Sequence, residues 1–122
     1  MSGISWNSGS VLDHGPVAEV AAEIEDYTVN VVTFKEDIDG APMLRGLPND
    51  NCSCPHWGYV IKGQHTFTFA EHVEAYGPGE AFYVAPGHVP SALAGTEMVI
   101  FSSTELLKPT QQALTRGTDG AP

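Results

Sequence analysis

Short runs of alternating hydrophobic and polar residues dominate the chain between Tyr27 and Phe101. The segment Tyr27–Phe34 is rich in β-branched and aromatic residues, the composition of a strand. His65, Phe67 and Phe69 fall on alternate positions, which predicts a strand with one buried face. The same reasoning predicts further short strands at residues 56–61, 73–76, 81–84, 88–93 and 98–101.

Turn sequences separate these strands at short intervals. They are Gly77-Pro78-Gly79, Ala85-Pro86-Gly87 and Ala94-Gly95-Thr96. Glycine and proline at such density end strands and reverse the chain direction. Many short strands with turns of this kind are typical of an antiparallel barrel or sandwich, so the sequence predicts an all-β fold.

The two ends of the chain give less regular patterns. Residues 16–24 fit helical spacing as well as a strand, and residues 105–114 predict a short helix. Val11 and Leu12 fit a short edge strand. We therefore expect a flexible N-terminal segment at residues 1–15, one folded domain at residues 16–114 and a flexible tail at residues 115–122.

Length and charge narrow the range of functions. The chain has 122 residues, enough for a single domain with a real core. Fifteen acidic and five basic residues give a formal charge of −10, which repels nucleic acid and anionic membranes. The first ten residues lack the apolar core of a signal peptide, and no apolar run approaches the roughly 20 residues of a membrane span. A cytoplasmic protein without nucleic-acid or membrane partners is expected.

The chemistry-bearing stretch is Cys52-Ser53-Cys54-Pro55-His56. In an extended chain its two thiols and its imidazole project to one side. A disulfide across one intervening residue would be strained, and a cytoplasm keeps thiols reduced. Metal ligation, redox chemistry and inert burial remain open for these three side chains.

The spacing of glycines around this stretch resembles the first motif of the cupins, which are small jelly-roll barrels. Gly46 is followed by five residues and then by Cys52-Ser53-Cys54, and Tyr59-Val60-Ile61-Lys62-Gly63 is similar to the end of that motif. His56 stands six residues before Gly63, where the motif places a glutamate. The run from Gly79 to His88 resembles the second motif, and the Cys-Ser-Cys-Pro-His-Trp-Gly-Tyr-Val stretch is similar to a group of short bacterial cupins.

Three departures from the cupin motifs bear on the chemistry. Cysteines replace two histidines, Pro55 alone forms the spacer, and His88 lies earlier than the usual second-motif histidine. The usual three-histidine, one-glutamate iron or manganese centre is therefore not expected. The resemblance implies a double-stranded β-helix, or jelly-roll barrel, that pairs as a homodimer through its sheet edges.

The candidate ligands cannot all lie on one straight strand. Residues i and i+4 of a strand are about 13 Å apart, whereas zinc holds its ligands at about 2 to 2.3 Å. Either the chain bends at Pro55 or only two of the three bind one ion. We expect Cys54 and His56 as the central pair, His88 as a third ligand and Cys52 as a fourth. Thiolate and imidazole favour zinc among the divalent metals.

Three functions follow as hypotheses. The first is a metal-binding cupin that binds or transforms a small organic molecule by isomerase, lyase or hydrolytic chemistry. The second is a metal-free enzyme in which His56, with a nearby tyrosine or histidine such as His88, acts as acid and base. The third is a non-catalytic module that binds a small molecule or reports metal or redox state through its cysteines.

Overall fold

The computed structural model describes residues 3–7 and 11–118. Within them the chain forms ten strands and one α-helix, α1 (Thr104–Thr118), with two short 3-10 helices at Ala41–Leu44 and Pro48–Asp50. The strands are β1 (Leu12–Asp13), β2 (Val17–Ile24), β3 (Tyr27–Phe34), β4 (Ile38–Asp39), β5 (His56–Lys62), β6 (His65–Thr68), β7 (Val73–Tyr76), β8 (Ala81–Val84), β9 (Val89–Ala92) and β10 (Glu97–Ser103).

These strands form two sheets in which every pair is antiparallel. The first sheet has the order β1-β2-β3-β10-β5-β8 and the second has the order β4-β9-β6-β7. Strands that neighbour each other in space, such as β3 and β10, are often far apart in sequence, because the chain passes repeatedly from one sheet to the other. The predicted all-β, antiparallel architecture is confirmed.

The ambiguous segment at residues 16–24 is strand β2. It pairs with β3 along its whole length, from Val17 opposite Phe34 to Ile24 opposite Tyr27. Glu25, in the two-residue turn between them, has a φ of 56°. A tight hairpin places residues 17–24 directly beside β3, so this segment pairs as a strand and does not form a helix.

The main core lies between the two sheets. It consists of Val32, Phe34, Val60, Phe67, Phe82, Val84, Ala92 and Met98. Gly58 lies among these residues, and a Cβ atom there would overlap the ring of Phe82. The absence of a side chain at Gly58 therefore lets the Phe82 ring cross β5 and fill the barrel.

A second, smaller core closes one end of the barrel beneath α1. Leu107 of this helix packs with Leu44, Cys52 and Cys54. The helix is longer than predicted, since it reaches Thr118 and not residue 114. Within the described residues, no helix has the length and apolar character needed to cross a membrane. Residues 1–2 and 8–10 of the predicted N-terminal segment and residues 119–122 of the predicted tail lie outside the described residues.

Candidate metal centre

Three potential metal ligands meet beside the small core beneath α1. One donor atom each from Cys52, His56 and His88 lies within 4.8 Å of the other two. All three residues are buried: Cys52 is 2% exposed, His56 8% and His88 1%. A thiol and two imidazoles held together away from water form a donor set that suits a borderline metal such as zinc.

The path of the chain explains how residues four positions apart converge. Cys52 precedes β5, and its backbone forms an isolated bridge with His88, with Cys52 N–H donating to the His88 carbonyl at 2.8 Å. Residues 53–55 are irregular, and β5 begins only at His56. Cys52 and His56 therefore do not lie on one straight strand, and Cys52 Sγ is 3.6 Å from His56 Nε2.

Each imidazole is oriented by a hydrogen bond at Nδ1. His56 Nδ1 lies 2.7 Å from Ser102 Oγ on the neighbouring strand β10. His88 Nδ1 donates to the Ala85 carbonyl at 2.7 Å. The tautomer that donates from Nδ1 leaves the Nε2 lone pair free, which is the usual arrangement behind a histidine ligand.

Cys54, which sequence analysis pairs with His56, does not join this group. Its thiol is directed to the Pro55 carbonyl at 3.3 Å, and the side chain packs in the small core beneath α1. Burial raises the pKa of Cys54 to about 12. The structure thus brings together three of the four residues that sequence analysis singles out, with Cys52 and not Cys54 beside His56.

Burial keeps the three donors in their neutral forms. It lowers the pKa of His56 to about 3, with a smaller contribution from His88, and it also lowers the pKa of His88. Burial raises the pKa of the Cys52 thiol, and the Thr110 hydroxyl opposes that rise. Neutral imidazoles are ready to ligate a metal, whereas a metal must displace the thiol proton.

The spacing between Cys52 and His56 matches that of two ligands on a tetrahedral ion. Bonds of about 2.3 Å to sulfur and about 2.0 Å to nitrogen, at tetrahedral angles, place the two ligand atoms about 3.5 Å apart. The separation of Cys52 Sγ and His56 Nε2 is 3.6 Å. Three protein ligands leave a fourth position free for water or substrate.

His65 lies deeper in the barrel and outside the donor set. Its ring packs against Phe34 and Phe67, with centroid distances of 5.5 and 4.6 Å. Neither ring nitrogen has a hydrogen-bond partner, and the residue is 2% exposed. Burial lowers the pKa of His65 to about 4, so this ring is an uncharged member of the core at neutral pH.

Sequence analysis missed two residues that touch the donor set. Ser102 contacts His56 across 46 positions of sequence, and Thr110 contacts Cys52 across 58 positions. Serine and threonine are common in strands and at helix surfaces, so their identity gives no signal. Ser102 could have been predicted only from the register of β5 and β10, in which it lies opposite His56.

A surface cleft lies apart from the donor set. It has a volume of about 290 Å³ and is lined by residues of β4, β6 and β9, among them Asp39, Thr66 and Ser91. Thr66 alternates with the inward-facing His65 and Phe67, so the cleft is on the outer side of this sheet. None of the residues that line this cleft belongs to the donor set.

Solved structures with the same fold are known. A cupin of the RmlC-like type from Shewanella frigidimarina matches with a TM-score of 0.57 and 13% identity, over 83% of this chain and 89% of that one. KdgF from Halomonas sp. matches with a TM-score of 0.56 and 18% identity, over 81% and 92%. The Streptomyces protein Pac13, a nucleoside dehydratase, matches with a TM-score of 0.52 and 15% identity, over 77% and 74%.

Neither a family model nor a curated protein matches the sequence. The structural likeness covers most of the chain at low sequence identity, so it defines the fold and leaves the chemistry to the residues of the site. On this evidence the chain has the fold of the RmlC-like cupins.

Proposed function

We propose that this protein is a metal-binding cupin that binds or transforms a small organic molecule at Cys52, His56 and His88. The observation that carries the proposal is the convergence of their donor atoms within 4.8 Å. The Nδ1 hydrogen bonds of both imidazoles support it, because they engage Nδ1 and leave Nε2 of His56 and of His88 available to a metal. Zinc is the metal that this donor set favours.

A divalent ion held there would polarise a carbonyl group or activate a water molecule. The chain itself supplies orientation and a dry environment. Ser102 and Ala85 fix the two rings, while Leu107 and the small core beneath α1 exclude solvent. Isomerase, lyase or hydrolytic chemistry suits such a site. The lyase case gains support from Pac13, a nucleoside dehydratase of the same fold.

The metal-free alternative fits less well. An efficient general base has a pKa near the working pH, but burial holds the pKa of His56 near 3. Burial also raises the pKa of Cys52, which disfavours a metal-free thiolate nucleophile. A metal offsets both costs, because it binds neutral imidazole and displaces the thiol proton.

A second candidate function is a non-catalytic module that senses metal or redox state. Its support is the closure of the site, since Cys52 and His88 are almost fully buried beneath α1. Cobalt distinguishes the two functions, because its visible spectrum reports coordination. If a fourth position is accessible, azide changes the spectrum of the cobalt-loaded protein; an unchanged spectrum favours the closed, sensing site.

Metal binding itself is tested by His88→Ala. Equilibrium dialysis against zinc should give about one ion per wild-type chain and far weaker binding to the variant, since a tetrahedral site that lacks one ligand loses much of its affinity. His72→Ala is the matched control, because His72 is exposed and lies outside the donor set, where it pairs with Glu74 and stacks on Phe69. Equal zinc binding by His88→Ala and wild type would remove the basis of the proposal.

A homodimer is the expected assembly, and the outer face of the larger sheet offers a surface for it. Trp57, Tyr59, Tyr83 and Phe101 lie on adjacent strands of this face and are each more than 40% exposed. The outward residues of β5, β8 and β10 include two charged side chains, Glu97 and Lys62, which pair with each other at 3.0 Å. The charges on this face cancel as an ion pair, so the same face of a second copy is not repelled by it. This holds although the chain as a whole has a charge of −10.

A further inference from the structure

The inner face of α1 covers the candidate metal centre. Leu107 and Thr110 are three residues apart and therefore lie on the same side of the helix. Both are buried, at 7% and 5% exposure. Leu107 packs on Cys52 and Cys54, so this side of α1 forms the roof over the sulfur of Cys52.

Thr110 supplies a polar contact from this roof. Its hydroxyl oxygen lies 3.2 Å from Cys52 Sγ, within hydrogen-bond distance for sulfur. A buried hydroxyl needs a partner, and here that partner is itself a candidate ligand. A metal-bound sulfur carries no proton and can only accept, so Thr110 would be the donor in the metal-bound protein.

We propose that Thr110 is a positioning residue for the metal centre, and that its hydrogen bond to Cys52 couples closure of α1 to metal binding. This inference rests on the proposed function. The hydrogen bond stabilises the negative charge of the ligating sulfur and fixes its direction, as outer partners of metal ligands do. Coupling is reciprocal. If packing of α1 on the barrel increases the affinity for metal by some factor, then bound metal increases the equilibrium constant for that packing by the same factor.

The test compares three variants of the full chain. Thr110→Val removes the hydroxyl and keeps the shape, whereas Thr110→Ser keeps the hydroxyl. Thr104→Val is the matched control, because Thr104 lies on the same helix and bonds Thr28 at 2.9 Å, and neither threonine is a member of the donor set. Thermal melts establish that all three variants fold.

Cobalt affinity is then measured by competition with a chelator. Thr110→Val should bind cobalt about 10- to 100-fold more weakly than wild type. Its sulfur-to-cobalt charge-transfer band should move to lower energy, because the sulfur has lost a hydrogen-bond donor. Thr110→Ser and Thr104→Val should retain the affinity and the spectrum of wild type.

Hydrogen exchange measures the reciprocal effect. Zinc should slow exchange of the α1 backbone amides in wild type and in Thr104→Val, and slow it less in Thr110→Val at saturating zinc. A helix that merely packs on the barrel would show no such dependence on the hydroxyl. That readout distinguishes coupling from a structural role.

The outcomes separate this inference from the proposed function. If wild type binds cobalt and Thr110→Val shows the same affinity, spectrum and exchange, the inference is wrong and the metal centre stands. If wild type binds no cobalt, the proposed function fails, and the coupling to metal binding fails with it. The hydrogen bond between Thr110 and Cys52 is then tested without metal, by the Raman S–H stretch of Cys52 in a Cys54→Ser background. Thr110→Val should shift this stretch, and Thr104→Val should leave it unchanged.

Discussion

At the scale of single residues, burial decides which groups are available for chemistry. Cys52 and Cys54 have the same side chain and are both buried, yet only Cys52 faces the histidines. The difference lies in the backbone, because Cys52 forms a β-bridge with His88 and Cys54 does not. Residue types and spacing singled out all three members of the donor set together with Cys54, but the choice between the two thiols depends on a pairing 36 positions away that local sequence does not contain.

His65 gives the clearest prediction at this scale. Its pKa is about 4 in the folded protein and about 6.5 when exposed. As the pH falls, His65 takes up a proton in the unfolded chain at a higher pH than in the folded protein. The free energy of unfolding therefore decreases between pH 6.5 and 4. The loss is on the order of 3 kcal/mol. Urea unfolding of the metal-free protein across this range measures it.

His65→Phe should unfold with a shallower pH dependence than wild type. It should also be more stable at pH 7 by about 1 to 3 kcal/mol, because it removes two buried nitrogens that have no partner. The acid-induced loss that remains in the variant belongs to His56 and His88, whose pKa values are also lowered. An identical pH dependence in both proteins would show that His65 is solvated or hydrogen-bonded in solution.

At the scale of elements, turn chemistry made most of the strands predictable. β3, β7 and β8 have the bounds that the sequence predicts, because glycine, proline or acidic turns border each of them. β2 was ambiguous because its apolar residues fit two periods, and only its pairing with β3 selects the strand. The contact of α1 with Cys52 was not predictable, since it depends on where the barrel ends.

Gly58 is an element-scale feature with a measurable effect. Gly58→Ala places a Cβ atom against the Phe82 ring and the Val99 carbonyl, and neither can withdraw without moving the sheet. We expect a loss of about 1 to 3 kcal/mol in the free energy of unfolding by urea. Gly77→Ala is the control, since a Cβ there meets only the Glu80 carboxylate at 3.8 Å. Equal stability of the two variants would mean that the core around Phe82 is loosely packed.

At the scale of the whole molecule, the fold places a buried donor set at one end of a barrel and an apolar sheet face on its outside. The jelly-roll architecture was predictable from strand density and glycine spacing. The outer face was not, because Trp57, Tyr59 and Tyr83 fit a pocket or core as well as an interface until the inward side of each strand is known. The sequence instead favoured association through sheet edges.

The outer face predicts the effect of a charge at its centre. Trp57 is 60% exposed, and its ring contacts that of Tyr83 at 4.8 Å. Trp57→Lys should convert a dimer to a monomer in light scattering, because a second copy would bury the ammonium group without a partner. Val73→Lys is the control on the other sheet, where Val73 is 61% exposed. A wild-type mass of one chain at every concentration would contradict the proposed dimer.

The central claim is that Cys52, His56 and His88 hold a metal ion and that Cys54 does not. Elemental analysis of full-length protein, expressed with zinc, iron, nickel and copper available, tests it directly. Wild type and Cys54→Ser should each contain about one ion, with zinc favoured, and Cys52→Ser much less, because only Cys52 lies with the two histidines. Wild-type protein without stoichiometric metal, or loss of metal in Cys54→Ser but not in Cys52→Ser, would contradict the account.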